Sequence, residues 1–506
     1  MRGLSRGRRW TTPLAGAVSG LLFALAFPPL EWVALLPVAP VPWLVALLHE
    51  ERRLTATLSG VFFGLVFWCA SIPWVFHVVT HFGGQSGAMG VVCVVLLAAI
   101  LAEWPALVAF GAAAAPAGSL SRLALFPILW AAAEHARSYV YGGFPWNLTG
   151  SALYRHPVWI QTASVWGVYG VGLLVMVCGC LLAAGVALRR ALPFAAAALL
   201  ALVTGLFGAL GLARPRADGP AVTAALVQPG ISQETRLEAR AAADNYLSVI
   251  GQAREAAGRG AGLIVLPESA LPVYWDSSPA MRGDLTAIAA LCQCPVLFND
   301  IETEAGGAYF NAARLATSQG LAGSSYRKVH LVPFGEYVPL PRLFFFVRQV
   351  STEIGEFTAA KEPTLLEGAG LRLGMGVCYE ITYDALAREE TARGANLLAT
   401  ISNDSWYGKA GAQPQHFAAA VLRAVENGRY LLRAAVTGLT GAVDERGRIL
   451  GELPLDRKGT LAVSVRLLAQ TTPWTRWGHV LPLVADGAAA VVLIFGAFRL
   501  LRRRNP

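Results

Sequence analysis

The chain has 506 residues, of which 55% are hydrophobic and only 14% are charged, and its formal net charge at pH 7 is +9. This composition excludes an ordinary soluble enzyme, and the length is greater than a single hydrophobic core usually serves. We therefore predict a membrane protein that carries an added extramembrane domain.

Apolar runs that could cross a bilayer recur before residue 215, since a spanning helix takes about 20 apolar residues. We predict an α-helical bundle of about eight spans: 14–27, 32–48, 56–79, 88–115, 123–136, 163–188, 191–212 and 480–501. The first run follows four arginines and could instead be a cleaved signal peptide. The further spans favour an uncleaved first helix.

The arginines indicate the orientation of the spans, because cationic loops resist translocation. Most of them fall on alternate loops that share the side of the N-terminus, including Arg52, Arg122, Arg189 and the tail that begins at Arg499. Eight spans then place both termini in the cytoplasm and the long segment between spans seven and eight outside. The net charge follows from this topology and predicts no nucleic-acid binding.

Three regions result: a transmembrane domain at 1–213 with seven helices, an extramembrane domain at 214–468, and a final span with a basic tail at 469–506. Tryptophans near the span ends are expected at the membrane interface. They are Trp146, Trp159, Trp474 and Trp477.

The extramembrane segment alternates short apolar runs with helical patterns, which favours a sheet covered by helices. Predicted strands are 222–227, 263–266, 295–298, 312–316, 371–378, 396–401 and 434–443. Predicted helices are 232–257, 279–291, 383–393 and 415–431. Cys292 and Cys294 are expected in the core and not as a disulfide, because one intervening residue in a strand gives poor closure geometry. No spacing predicts a metal or phosphate site, so no cofactor is expected.

Three polar residues stand where strands end, the position at which α/β sheets present their ligands. They are Glu268, Lys328 and Cys378. A carboxylate can deprotonate a thiol, the thiolate can attack an acyl group, and an ammonium can stabilise the resulting oxyanion. A single cysteine ending a strand is more often a core residue. Lys328, however, is one of only four lysines beside 37 arginines.

Four neighbouring residues are further candidates. Glu336 and Glu380 each sit beside a predicted catalytic residue, where a second carboxylate could hold Lys328 charged. His330 and His416 could act as bases, although a structural hydrogen-bonding role is favoured for both.

The motifs LPESALP, YFNAA, KVHLVPFGEYVP, GVCYEITY, ISNDSWYG and QHFAAAVLRAVENGRYLLRA resemble those of the nitrilase superfamily. With spans on both sides, the whole chain resembles the membrane-embedded branch, the apolipoprotein N-acyltransferase family. The resemblance implies an αββα sandwich with Glu268 as base, Lys328 as oxyanion stabiliser and Cys378 as nucleophile. Glu336, Tyr379 and Glu380 match positions that are essential in the family, and Asn311 matches its YxN position.

The resemblance also implies partners and a location. A phospholipid would donate an acyl chain through a thioester on Cys378, and a diacylglyceryl apolipoprotein would accept it at its N-terminal amine. The expected location is the bacterial inner membrane, with the catalytic domain periplasmic and the chain a monomer. Departures from the family pattern at Leu237, Val421 and Val436 affect the expected shape of the acyl pocket.

An aromatic run at Phe344, Phe345 and Phe346 fits an arm that dips into the lipid interface, with a buried apolar plug as the alternative. Two other functions stay open at this point. One is a membrane-tethered nitrilase-type amidohydrolase, and the other is a non-catalytic lipid-binding protein.

Overall fold

The computed structural model describes residues 10–215, 217–304, 306–338, 357–409 and 411–504, without the side chains of Leu237 and residues 499–504. The aromatic arm predicted at Phe344, Phe345 and Phe346 lies outside these residues. The α-helices are α1 (Thr11–Ala24), α2 (Val41–His49), α3 (Arg53–Ser71), α4 (Trp74–His77), α5 (Gly87–Leu101), α6 (Glu103–Ala112), α7 (Ser121–Arg137), α8 (Pro157–Ile160), α9 (Ala163–Leu188), α10 (Ala191–Ala213), α11 (Gln233–Leu237), α12 (Ala242–Gly258), α13 (Pro279–Cys292), α14 (Asp384–Ala392), α15 (Ala412–Asn427), α16 (Pro473–Trp477) and α17 (Val480–Arg504).

Within the described residues, five helical stretches are long and apolar enough to cross a membrane. They are Arg53–Ser71, Gly87–Ala112, Ala163–Leu188, Ala191–Ala213 and Val480–Phe498. The first predicted span corresponds to α1, which has only 14 residues. The fifth corresponds to α7, whose 17 residues include Pro127. The helical character of the N-terminal region is confirmed.

The second predicted span is wrong as a continuous helix. Residues 32–48 form a short 3-10 turn at Val33–Leu35 and then the nine-residue α2. Pro37, Pro40 and Pro42 interrupt this run, and a proline inside a helix removes a backbone hydrogen bond and clashes with the preceding turn.

Hydrogen bonds at the two ends of the helical bundle show in which direction its helices run. Gln415 of α15 donates to the carbonyls of Pro28 (3.0 Å), just after α1, and Ser71 (2.8 Å), the last residue of α3. At the opposite end, Thr12 of α1 donates to Glu50 at 2.8 Å, after α2. α1 and α3 therefore run in the same direction, and the segment between them returns across the bundle.

The last helix reaches the same remote end. Arg53, the first residue of α3, donates to the carbonyl of Gly496 in α17 at 2.6 Å. Arg122 in the first turn of α7 donates there too, to the carbonyl of Leu47 at 2.7 Å. The start of α1 and the far part of α17 thus lie at the end of the bundle away from the β-sheets.

The strands form two six-stranded mixed sheets. They are β1 (Ala221–Gln228), β2 (Leu263–Val265), β3 (Val296–Thr303), β4 (Tyr309–Thr317), β5 (Gly320–Arg327), β6 (Leu366–Gly368), β7 (Leu371–Val377), β8 (Leu397–Ser402), β9 (Leu431–Ala435), β10 (Thr440–Val443), β11 (Ile449–Leu453) and β12 (Gly459–Arg466). The first sheet has the order β12-β1-β2-β3-β4-β5 and the second β11-β10-β9-β8-β7-β6. Strands β1 to β3 are parallel to one another, as are β7 to β9.

The strand predicted at 434–443 is wrong, because β9 and β10 pair there as an antiparallel hairpin. Its turn brings Gly438 so close to the carboxylate of Asp404 that a Cβ on Gly438 would lie 2.4 Å from Oδ2. Only glycine fits that approach.

The predicted αββα sandwich is confirmed. Apolar side chains from both sheets, such as Leu226 and Leu373, meet in a core between them. Helices α12 and α13 cover the outer face of the first sheet. Helices α14 and α15 cover the second sheet, and α15 also packs against the N-terminal helical region, where Phe417 and Val421 share a cluster with Tyr154.

Two further predictions are corrected. Trp146 and Trp474 are buried and do not face an interface, whereas Trp159 and Trp477 are exposed. Cys292 and Cys294 form a disulfide with their Cα atoms 5.1 Å apart. The reason is that α13 ends at Cys292 and the left-handed Gln293 (φ 52°) turns the chain, so these residues are not in the extended strand we assumed.

Candidate active site

The three predicted catalytic residues meet between the two sheets. Glu268 follows β2, Lys328 follows β5 and Cys378 follows β7, and each side chain is buried. The Lys328 ammonium lies 3.9 Å from Glu268 Oε1. The other three lysines of the chain are exposed. Burial of a single ammonium beside a carboxylate indicates a site built around its charge.

Glu336 and Asn311 complete the surroundings of Lys328. Glu336 Oε1 accepts from Lys328 Nζ at 2.9 Å. Asn311 Nδ2 donates to Glu268 Oε1 at 3.0 Å and to Glu336 Oε1 at 2.9 Å. The amide thus holds both carboxylates beside the ammonium. Its own orientation is fixed because Asn299 Nδ2 donates to Asn311 Oδ1 at 2.7 Å.

Glu268 is anchored through its second oxygen as well. The backbone N–H of Asn403 donates to Glu268 Oε2 at 2.9 Å. Sequence reasoning missed Asn299 and Asn403. The motif ISNDSWYG marks the position of Asn403, but a backbone N–H leaves no signature in the residue type.

The surroundings raise the pKa of both Lys328 and Cys378, which keeps Lys328 charged and Cys378 a neutral thiol. Burial alone would lower the pKa of Lys328, but Glu336 and Glu268 outweigh burial and raise it, so the ammonium stays charged. Burial raises the pKa of the Cys378 thiol, Glu268 raises it further, and Lys328 opposes this. The free thiol is therefore a weak nucleophile that needs a base.

Cys378 has a left-handed backbone with φ +56°. For a residue other than glycine this conformation costs about 1–2 kcal/mol. It turns the chain sharply from the last residue of β7 into a 3-10 helix, Cys378–Thr382. The turn places the thiol at the end of the sheet. Such strain persists only where the surrounding structure holds it.

Glu380 joins the strand of the thiol to the strand of the ammonium. Its Oε1 accepts from the backbone N–H groups of Val329 (2.7 Å) and His330 (2.9 Å). Its Oε2 accepts from Val377 N at 2.9 Å and from the Tyr326 hydroxyl at 2.8 Å. Burial raises the pKa of Glu380 to about 7, while Lys328 and these N–H donors oppose a larger shift.

Tyr379 connects the site to the helical region. Its hydroxyl donates to the carbonyl of Gly143 at 3.2 Å, and its ring stacks on Trp146 with the ring centroids 6.2 Å apart. Tyr383 donates to the neighbouring Gly142 carbonyl at 2.9 Å. The loop after α7 therefore lies directly against the residue that follows the thiol.

The two histidines have different surroundings. The His330 ring stacks on Tyr383 with centroids 4.1 Å apart. His416 in α15 is fully buried, and its Nε2 lies 2.9 Å from the carbonyl oxygen of Cys378. Asp404 and Arg433, which sequence reasoning missed, lie behind His416.

Two of the departures from the family pattern, Val421 and Val436, are buried core residues.

Among the described residues there is no group of three or more His, Cys, Asp or Glu side chains that could hold a metal ion. A buried carboxylate, ammonium and thiol are a complete set for acyl transfer: a base, an oxyanion stabiliser and a nucleophile.

Comparisons with known proteins divide the chain into two matched parts. A family profile described as the apolipoprotein N-acyltransferase N-terminal domain matches residues 19–181, and one described as carbon-nitrogen hydrolase matches residues 223–474.

Curated relatives match over nearly the full length. The apolipoprotein N-acyltransferase of Geobacter metallireducens is 33% identical, covering 96% of this chain and 95% of the relative. That of Methylococcus capsulatus is 31% identical, covering 97% and 96%. Among solved structures, an amidase from Nesterenkonia sp. is 23% identical over 50% of this chain and 93% of the amidase, with a TM-score of 0.38.

Proposed function

Because this chain belongs to the apolipoprotein N-acyltransferase family, we propose that Glu268, Lys328 and Cys378 carry out its acyl transfer in two steps. The donor is a membrane phospholipid, and the acceptor is the α-amine of the lipidated N-terminal cysteine of an apolipoprotein.

In the first step Glu268 takes the proton of the Cys378 thiol, and the sulfur attacks the ester carbonyl of the phospholipid. The carbonyl oxygen becomes an oxyanion that the Lys328 ammonium stabilises. The bond between the acyl carbon and the glycerol oxygen then breaks, and Glu268 returns the proton to that oxygen. The lysophospholipid leaves, and the acyl chain remains as a thioester.

In the second step the free amine of the apolipoprotein attacks the thioester carbon. Lys328 again stabilises the oxyanion, Glu268 takes a proton from the attacking nitrogen, and the carbon–sulfur bond breaks. The product is an amide, and the thiolate regains its proton from Glu268. A ping-pong cycle with an isolable acyl-enzyme follows from this order.

One observation carries the proposal: the buried ammonium of Lys328 lies between Glu268 and Glu336, and its field acts on the nearby Cys378 thiol. Glu268 raises the pKa of the Cys378 thiol and Lys328 lowers it, which supports the proximity of the three groups. A base, an oxyanion stabiliser and a nucleophile are what the two steps require.

The helical region supports a lipid donor. It contains a small cavity of about 30 Å³, walled by aromatic rings that include Phe67, Trp68 and Trp130. Arg137, which also lines this cavity, donates to the carbonyl of Trp146, the tryptophan that stacks on Tyr379. This cavity is too small to hold an acyl chain, so we propose that the chain lies against the apolar side chains of this region during transfer.

We also propose the topology. Residues 1–213 and 469–506 would supply eight crossings, one of them the broken segment around α2, and residues 214–468 would be the periplasmic catalytic domain. The positions of α1, α3 and α17 support this, since the start of α1 and the far part of α17 share the end remote from the sheets. The location is the bacterial inner membrane, with both termini cytoplasmic and the chain a monomer.

The test is the intact mass of the purified protein after incubation with a phospholipid of defined chain length. We expect an increment of one acyl group, absent in Cys378→Ala and released when a diacylglyceryl peptide with a free N-terminal amine is added. An unmodified wild-type mass would contradict the phospholipid donor. Release by water as fast as by the peptide would indicate a hydrolase.

A further inference from the structure

His416 lies against the backbone of the proposed nucleophile. Its Nε2 is 2.9 Å from the carbonyl oxygen of Cys378, and both residues are buried. A carbonyl oxygen can only accept a hydrogen bond, so Nε2 carries a hydrogen and donates it. This contact touches the peptide group that follows Cys378, not the sulfur.

The opposite side of His416 is held by two charged residues. Its Nδ1 lies 3.1 Å from Asp404 Oδ1 and 3.1 Å from Arg433 Nη2. Arg433 and Asp404 also form an ion pair at 2.5 Å, and Ser402 donates to Asp404 Oδ1 at 2.6 Å. With Arg433 donating to Nδ1, the neutral ring has its hydrogen on Nε2, facing Cys378.

The loop after α7 also holds the ring of His416 in place. Trp146 packs against it with centroids 5.4 Å apart, and the adjacent Gln415 accepts from Trp146 Nε1 at 2.6 Å. Burial and the Arg433 charge lower the pKa of His416, so it stays neutral at physiological pH and its donation does not depend on titration.

From these contacts we infer that His416 is a positioning residue for Cys378, an inference that rests on the proposed function. The left-handed backbone of Cys378 is held on its N-terminal side where Glu380 binds Val377 N, and on its C-terminal side by His416. Without the hydrogen bond from His416, the backbone relaxes and the sulfur moves away from Glu268 and Lys328. A displacement of about 1 Å in a reacting group can cost about 100-fold in rate.

Two matched substitutions test this role. The amide of His416→Gln can place an N–H near the former Nε2, whereas the shorter His416→Asn reaches only the position of Nδ1. Acyl-enzyme formation from dioleoylphosphatidylethanolamine in detergent micelles is followed by intact mass. For His416→Asn we expect kcat for this step to fall about 100-fold with KM for the phospholipid unchanged, and for His416→Gln a loss of less than about tenfold.

A second measurement needs no lipid. The rate at which iodoacetamide alkylates Cys378 is recorded against pH in the wild-type protein and both variants. In His416→Asn the sulfur leaves both Glu268, which raises the pKa of the thiol, and Lys328, whose opposing effect is smaller. We therefore expect the alkylation profile of His416→Asn to shift to lower pH, and that of His416→Gln to stay near wild type. A purely structural role would lower the melting temperature without moving this profile.

The inference is overturned if folded His416→Asn acylates at the wild-type rate with an unshifted profile, or if both variants lose activity equally. If His416→Asn does not fold, His416→Gln decides alone: a loss above about tenfold contradicts the role, and retention supports it. Failure of the wild-type protein to take up an acyl group would contradict the proposed function, whereas the alkylation profiles would still test His416.

Discussion

At the scale of single residues, the site depends on a lysine that must remain charged in a buried position. Glu336 is the nearest carboxylate to Lys328, and Asn311 ties it to Glu268. The charge of Lys328 therefore depends on a residue eight positions further along the chain.

We predict that Glu336→Gln lowers the pKa of Lys328, because burial is then opposed by one carboxylate fewer. Since the ammonium is the active form, the rate of acyl-enzyme formation should fall as the neutral amine forms, by about 100-fold where Lys328 has lost its proton. The pH above which this rate declines should also be lower in Glu336→Gln than in the wild-type protein.

The measurement is the rate of acyl-enzyme formation from neutral to alkaline pH. Glu389→Gln is the matched control, because Glu389 is an exposed partner of Arg393 outside the site. A decline at the same pH in Glu336→Gln and the wild-type protein would show that Glu336 does not control Lys328.

The sequence singled out Glu268, Lys328 and Cys378 because each follows a strand, although β2 and β5 belong to one sheet and β7 to the other. It did not predict Asn403, which contributes a backbone N–H, or Trp146, which we expected at the membrane interface. Both act through the packing of one segment on another, which no local pattern records. The disulfide between Cys292 and Cys294 was missed for a related reason, since it depends on the left-handed Gln293.

At the scale of elements, Glu380 joins the end of β5 to the end of β7. Its carboxylate accepts hydrogen bonds from three backbone N–H groups and one hydroxyl. Glu380→Gln replaces one acceptor oxygen by an NH2 group, which faces Val377 N–H and leaves that buried donor unpaired.

We predict that Glu380→Gln destabilises the protein by about 1–3 kcal/mol, the cost of an unsatisfied buried donor. The melting temperature of the detergent-solubilised protein measures this. Glu367→Gln, which removes an exposed ion pair with Arg372, should have almost no effect. Equal shifts in the two variants would contradict the role of Glu380.

Asp384 joins the sandwich to the helical region through hydrogen bonds of its buried carboxylate. Its Oδ1 accepts from the hydroxyls of Tyr139 (2.8 Å) and Tyr169 (3.1 Å), and its Oδ2 lies 2.6 Å from His479 Nε2. Burial would raise the pKa of Asp384, but His479, Arg423 and the hydroxyl donors outweigh it and lower the pKa below its usual range.

A carboxyl group with a lowered folded-state pKa stabilises the protein above its unfolded pKa and loses that contribution as pH falls through the folded value. We predict that Asp384→Asn lowers the melting temperature at neutral pH, and that its difference from wild type narrows on acidification below about pH 4. Melting curves of both proteins across this range measure it. A difference that widens with acid would contradict the assignment.

At the scale of the whole molecule, the proposed topology places the sheets outside and the ends of the chain inside. The prolines of the α2 segment show why sequence alone miscounted helices: hydropathy detects an apolar crossing but not whether its backbone is continuous.

Cysteine labelling tests this topology. Ala117→Cys lies in the exposed loop before α7, and Ser277→Cys lies in the exposed segment before α13. We predict that a membrane-impermeant maleimide labels Ser277→Cys in intact spheroplasts, but labels Ala117→Cys only after permeabilisation. The wild-type protein measures the background from its own cysteines. The reverse labelling pattern would invert the proposed orientation.

The shared helix α15 has a consequence for the molecule as a whole. One face of α15 covers the second sheet, and the other meets Tyr154 and Trp474, while Gln415 binds the loop after α1 and the end of α3. In a fragment that holds only the sandwich, the face of α15 that meets Tyr154 and Trp474 would be exposed to water. Such an excised fragment should self-associate in buffer.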